Sequence, residues 1–123
     1  MTYFIAILGT GKGTWAALSH VMRQGNFERS ILITNQFGKE HFTPDTKTAL
    51  LEIDFDKPMQ QMRDEIKERL PPLLDKFLDT DVAVSLISGA GPEHMALMAA
   101  LLQLGLGVRL ITTEFGKDGI VEL

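Results

Sequence analysis

Two glycine-rich turns hold the residues best suited to chemistry. Gly9-Thr10-Gly11-Lys12-Gly13-Thr14 follows the first apolar run, and Ser88-Gly89-Ala90-Gly91-Pro92-Glu93-His94 follows the fourth. Each joins a predicted strand to a predicted helix. Glycine lets a backbone approach a ligand closely, and a helix start presents unbonded N–H groups at the positive end of the helix dipole, so such junctions suit phosphate. In the first turn the candidate contacts to phosphate or ribose are Gly9, Thr10, Gly11, Lys12, Gly13 and Thr14; in the second they are Ser88, Gly89, Ala90, Gly91 and His94. Lys12 and His94 are the candidate catalytic side chains, Lys12 by neutralising charge and His94 as a general acid or base, because imidazole titrates near neutrality. Thr34, Asn35 and Gln36 end the second predicted strand on the same sheet edge. They can hydrogen-bond a base or ribose, or simply make a turn.

Neither turn fits the two familiar nucleotide motifs. A Walker A loop requires Gly-x-x-x-x-Gly-Lys-Ser/Thr, whereas Lys12 comes early and no Gly-Lys-Ser/Thr stands at the helix start. A dinucleotide fingerprint requires a third glycine where this chain has Thr14. ATP hydrolysis and NAD binding lose weight accordingly. The plain alternative is that both turns are structural junctions, with Thr14 at or beside the helix cap. His20, His41 and His94 have no ligand spacing among themselves or with a carboxylate cluster, so a metal site is not expected; no cofactor is expected either. His20 reads as structural within the first helix, and His41 as a solvated loop residue. Asp54 and Asp56 share a strand face without a partner that would suggest acid–base catalysis.

The elements around the turns alternate strand and helix. Residues 3–8 form a continuously apolar run ending in glycine, as expected of a central parallel strand buried on both faces. Residues 14–24 carry Trp15, Leu18, Val21 and Met22 at helical spacing, closed by Gly25-Asn26. Strands are predicted at 30–34, 49–55, 82–87 and 108–113, with a C-terminal hairpin through Lys117-Asp118-Gly119 into residues 120–123. Residues 35–46 read as a long loop. Residues 58–78 read as helix, kinked or divided at Pro71-Pro72. Residues 93–104 form a helix so apolar that it must be buried, under the sheet or in a subunit interface. This order predicts an α/β, Rossmann-like, open and mainly parallel sheet with helices on both faces. In the usual winding the first and fourth strands lie side by side, at the switch point where ligands bind. Turns about eighty residues apart in sequence should therefore share one pocket.

The chain has 123 residues, 45% of them hydrophobic, enough for the core of a single domain. Its net charge of −4 does not favour duplex nucleic acid, though a small anion in a local pocket remains open. The absence of cysteine excludes disulfides and thiolate chemistry and agrees with a cytoplasmic setting. The N-terminal apolar run is too short for a signal segment or membrane span, so no membrane association is expected.

After the second turn, Met95-Ala96-Leu97-Met98-Ala99-Ala100 leads an apolar helix that runs to Leu104-Gly105 and the fifth strand. This pattern resembles the CARF family, the CRISPR-associated Rossmann-fold domains, over the whole strand order and most specifically over residues 82–111. The family turn commonly reads Thr-Gly-Gly-Thr-Lys. Here Ser88 stands for the threonine and Gly89-Ala90 for the glycine pair, while Gly91-Pro92-Glu93-His94 replaces the threonine and lysine with one extra residue. The basic contact is thus missing or passes to His94. The resemblance implies a homodimer that binds cyclic oligoadenylate, with cyclic tetra-adenylate the expected ring, in type III CRISPR antiviral signalling. Some such domains are sensors for a nuclease effector; others, the ring nucleases, cleave the messenger without a metal through attack by a ribose 2′-hydroxyl. The alternative is a Rossmann-like regulatory or protein-interaction module that binds another nucleotide or none. A further enzyme alternative is transfer or hydrolysis on a phosphorylated metabolite.

Overall fold

The computed structural model describes residues 2–74, 81–114 and 116–123. Strand β1 (Tyr3–Leu8) is apolar at all six positions because both its faces are covered. Tyr3, Ile5 and Ile7 point into one core, with β-strand neighbours Ile31, Ile33, Val82 and Val84. Phe4, Ala6 and Leu8 point into the other, with Leu32 and Ala83. The period of two along an extended chain divides a single run between two cores.

Around β1 lie β2 (Arg29–Thr34), β3 (Thr48–Glu52), β4 (Asp81–Ser85), β5 (Gly107–Thr112) and the short β6 (Val121–Glu122), in the order β3-β2-β1-β4-β5-β6. All pairings are parallel except β5 with β6. Tyr3 stands opposite Arg29 on one side and Val82 on the other. The winding moves outward from β1 to β3, then returns past β1 to β4. Right-handed crossovers place helices on opposite faces when that direction reverses. Accordingly α1 (Gly13–Gly25) supplies Leu18 and Val21 to one core, and α3 (Met59–Arg69) and α4 (Gly91–Gln103) supply Met62, Ile66, Leu97 and Leu101 to the other.

The predicted fold class is therefore observed, and several boundaries move. The expected loop over 35–46 contains a helix, α2 (Gln36–His41), whose start is capped by the Asn35 side chain accepting from the Gly38 N–H at 3.0 Å. β3 ends at Glu52 and not at 55; β4 ends at Ser85 and not at 87. Pro71 lacks the N–H that would continue α3, so the α-helix closes and Pro71–Leu73 form a single 3-10 turn. Residues 75–78 of the predicted second part lie outside the described residues. The apolar helix α4 buries Ala96, Leu97, Ala100 and Leu101 under the sheet, while Met95 and Leu102 are each 66% exposed. The hairpin is present: Arg109 Nε donates to Glu122 Oε1 at 2.7 Å across β5 and β6, and this bond, with the attraction of the carboxylate, raises the guanidinium pKa above its ordinary value.

Among the described residues, no helix is long and apolar enough to cross a membrane. One contact in α2 generates a test of the packing. A Cβ on Gly38 would strike Thr34, which is fully buried and whose hydroxyl donates to Leu8 O at 2.9 Å. Gly38→Ala should lower the urea midpoint, because overpacking costs about 1–3 kcal/mol, although alanine is the better helix former. An unchanged or raised midpoint would contradict the close seating of α2 on β2.

Candidate functional site

The two glycine turns emerge from the adjacent C-terminal ends of β1 and β4 and meet. The Gly9 N–H donates to Ser88 Oγ at 2.9 Å, and Ser88 Oγ lies 2.7 Å from Thr14 Oγ1. Thr14 Oγ1 in turn donates to Gly11 O at 2.8 Å. An N–H only donates and a carbonyl only accepts, so the hydroxyl protons have one arrangement: Gly9 N–H to Ser88, Ser88 O–H to Thr14, Thr14 O–H to Gly11. Ser88 is wholly buried at the centre of this chain. A bond to Trp15 occupies the other side of Gly9, whose carbonyl accepts from Nε1 at 2.6 Å.

The turns are pressed together closely enough to require glycine. A Cβ on Gly9 would lie 2.8 Å from Gly89 N and 2.9 Å from Gly89 Cα, backbone that cannot yield. Gly89 itself has φ +98°, a left-handed conformation costly for other residues, and a Cβ there would meet Ile7. Gly11, Gly13 and Gly91 face open space.

These bonds leave a definite set of donors. Among the described residues, the amides of Thr10, Gly11, Lys12 and Gly13 have no acceptor, whereas those of Thr14 and Trp15 bond back to Gly11 and Lys12. In the second turn the Ala90 N–H is taken by Glu93 Oε2 at 2.7 Å, half of a capping box at the start of α4. A crevice of about 380 Å³ lies over this junction, lined by Gly9, Thr10, Gly11 and Thr14 on one side and Gly89, Ala90 and Glu93 on the other. Asn35, Phe55 and Asp56 complete the lining and are shared with an adjoining cavity of about 490 Å³, which Gln36, Phe37 and Asp54 also line.

The remaining candidates fall in different places. Lys12 Nζ rests 5.9 Å from the Trp15 ring centroid and 5.6 Å from that of Phe37, a cation–π seat on an aromatic wall beside the crevice. Phe37 in turn stacks on His41 with centroids 4.3 Å apart. His94 Nε2 is 2.7 Å from Ser88 O. Since the carbonyl accepts, the proton sits on Nε2, and His94 braces the second turn from behind. Thr34 is buried and bonded within the sheet, Asn35 caps α2, and Gln36 Nε2 donates to Glu40 Oε1 at 2.9 Å. Sequence reasoning missed Phe55, Asp56, Glu93 and Trp15. The signal for Phe55 and Asp56 was topological, since the segment between β3 and α3 leaves the sheet at the same edge as both turns.

No protein-family model matches the chain, and no curated protein matches it. Among solved structures it is similar to Enterococcus italicus Csm6 bound to cyclic hexa-2′-fluoro-hexa-dAMP, with a TM-score of 0.63 and 14% identity. The likeness covers 97% of this chain and 34% of the Csm6 chain, so the protein spans about a third of that neighbour's length. It shows a shared Rossmann-like fold and nothing narrower.

The buried bond from the Gly9 N–H to Ser88 predicts a stability effect. Ser88→Ala leaves the Gly9 N–H without its acceptor and should cost about 1–3 kcal/mol in denaturant unfolding. An unchanged midpoint would show that Ser88 does not join the turns.

Proposed function

We propose that the crevice binds cyclic oligoadenylate, with cyclic tetra-adenylate the expected ring, as part of type III CRISPR antiviral signalling in the cytoplasm. The observation that carries this reading is the row of four consecutive unaccepted amides, Thr10 to Gly13, held at the β1/β4 switch point beside Lys12. Such a row matches the several acceptor oxygens of a phosphodiester. The fold shared with a Csm6 structure that holds a cyclic hexanucleotide analogue supports the ligand class, as does the sequence resemblance of residues 82–111 to CARF domains. A homodimer across a two-fold axis would present each donor twice. The exposed Met95 and Leu102, seven residues apart on α4, are apolar surface suited to that contact.

If the messenger is also cleaved, the protein need supply no nucleophile. A ribose 2′-oxygen bonds to the adjacent phosphorus, the P–O5′ bond breaks, the 2′-hydroxyl gives up its proton and the departing 5′-oxygen gains one. Lys12 would offset the charge that develops on phosphorus, and positioning by the turn amides would supply much of the acceleration. His94 is the candidate for proton transfer, though its Nε2 proton is committed to Ser88 O.

The second reading, an interaction module without a nucleotide, draws on the same exposed residues of α4. Titration calorimetry with cyclic tetra-adenylate and the Lys12→Ala variant separates the two. The nucleotide reading expects binding that weakens about tenfold or more on losing the charged contact, with oligomeric state unchanged and stability lowered by no more than about 0.5–1 kcal/mol, the worth of an exposed cation–π contact. Chromatography of the incubated ring then distinguishes cleavage from binding alone. Absence of heat and of product would overturn the nucleotide reading.

A further inference from the structure

We infer that a groove near the opposite, N-terminal edge of the sheet is a second ligand site, shaped for a small aromatic anion. The groove has a volume of about 500 Å³, within the usual range for small-molecule sites. It shares no lining residue with the crevice at the glycine turns. Its existence is independent of the nucleotide reading.

The groove lies between the C-terminal half of α1 and the segment that joins α2 to β3. Ser30, at the start of β2, lies at its base and is only 5% exposed. Ser30 and Thr34 occupy the same face of the same strand, four residues apart. Thr34 is satisfied by Leu8 O, whereas the Ser30 hydroxyl has no protein partner among the described residues. No sealed side-chain polar atom among those residues lacks a partner, so the Ser30 hydroxyl opens into the groove. A hydroxyl that is unpaired within the protein and open to the groove is free to bond an occupant in place of water.

The walls specify the occupant's chemistry. Arg23 from α1 and Lys47 from the opposite segment both line the groove, and neither has a carboxylate within 4.0 Å among the described residues. The one acidic lining residue, Asp45, has an oxygen occupied by the Lys47 N–H at 3.0 Å and the Thr48 hydroxyl at 2.7 Å. Two unpaired cations against one engaged carboxylate favour an anion. Phe42 and Phe27 add aromatic surface, and Met22 gives an adaptable apolar wall. Phe27 is fixed by stacking on Phe4 at 4.9 Å, and Phe42 by an edge contact with Trp15 at 5.7 Å. A flat ring therefore meets a preformed apolar surface while its anionic group reaches Arg23 and Lys47 and a polar atom meets Ser30.

The test is an amide NMR titration of the 123-residue chain with phenyl phosphate, alongside inorganic phosphate and benzyl alcohol. The expected result is saturable shifts at Arg23, Ser30 and Lys47, with both controls binding more weakly. The Arg23→Ser/Lys47→Ser pair, at exposed positions, should weaken binding about tenfold or more, and Ser30→Ala should weaken it about threefold or more. The proposal is overturned by an absence of saturable shifts, by shifts confined to residues 9–14 and 88–91, by inorganic phosphate binding equally well, or by variants that bind as the parent does. Failure of cyclic tetra-adenylate to bind bears only on the crevice.

Discussion

The three hydroxyl-mediated bonds that run from the Gly9 N–H through Ser88 and Thr14 to Gly11 O are the constraint on which the candidate site depends. Two turns that follow different strands could splay apart, since nothing in a parallel sheet extends beyond its strand ends. Ser88 prevents this by accepting from one turn's backbone and donating to its side chain. Because its ends are an obligate donor and an obligate acceptor, the chain has one proton order and every polar group in it is satisfied. Its Ser88 end is buried and its Thr14 end faces solvent, so the low-dielectric strengthening acts mainly on the bond between Gly9 and Ser88. His94, by donating to Ser88 O, fixes the backbone from which the central hydroxyl projects.

That constraint separates the glycines into two physical kinds. Gly9 and Gly89 are where two backbones cross, and their lack of a Cβ is required by the protein's own packing. Gly11 and Gly13 have nothing within 4 Å of a hypothetical Cβ, so packing within the chain does not demand them. The first kind builds the junction; the second lies on its open side, where a side chain would meet no protein atom. Glycine count alone does not distinguish the two.

The frame was readable because its signals are long-range averages. A six-residue apolar run covered on both faces, strands alternating with helices, and turn residues at each boundary lead to a mainly parallel sheet with β1 beside β4 without knowledge of any contact. Local exceptions were harder. The helix α2 is six residues long and contains Gly38, so it shows no sustained period, and its strongest marker, Asn35 as cap, is equally a turn residue. β4 was drawn too long because Leu86 and Ile87 continue the apolar run, yet they lie past the sheet, 39% and 38% exposed. Ser88 shows the limit most clearly. Its type and position suggested a turn that offers a hydroxyl to a ligand, and only its contact with a residue 79 positions away reveals a hydroxyl spent within the protein. Lys12 is similar, since its placement over Trp15 and Phe37 combines a turn, a helix and a segment predicted to be loop.

The crevice is also polarised in a way that the glycine turns alone would not produce. On the β1 side it is lined by Thr10 and Gly11, whose amides are unaccepted among the described residues, while Lys12 and Gly13, with amides likewise unaccepted, lie outside the lining. Its carboxylates sit elsewhere, Glu93 at the start of α4 and Asp56 beyond the end of β3. Glu93 is partly offset by the Ala90 N–H and by the positive end of the helix it caps. Asp56 has no such partner for its side chain among the described residues and therefore presents an open acceptor. The crevice thus has backbone donors on one wall and an open carboxylate acceptor, Asp56, on another. The lining itself carries two carboxylates, Asp56 and Glu93, and no cation, so any attraction for an anion there rests on the turn amides and on Lys12 outside the lining.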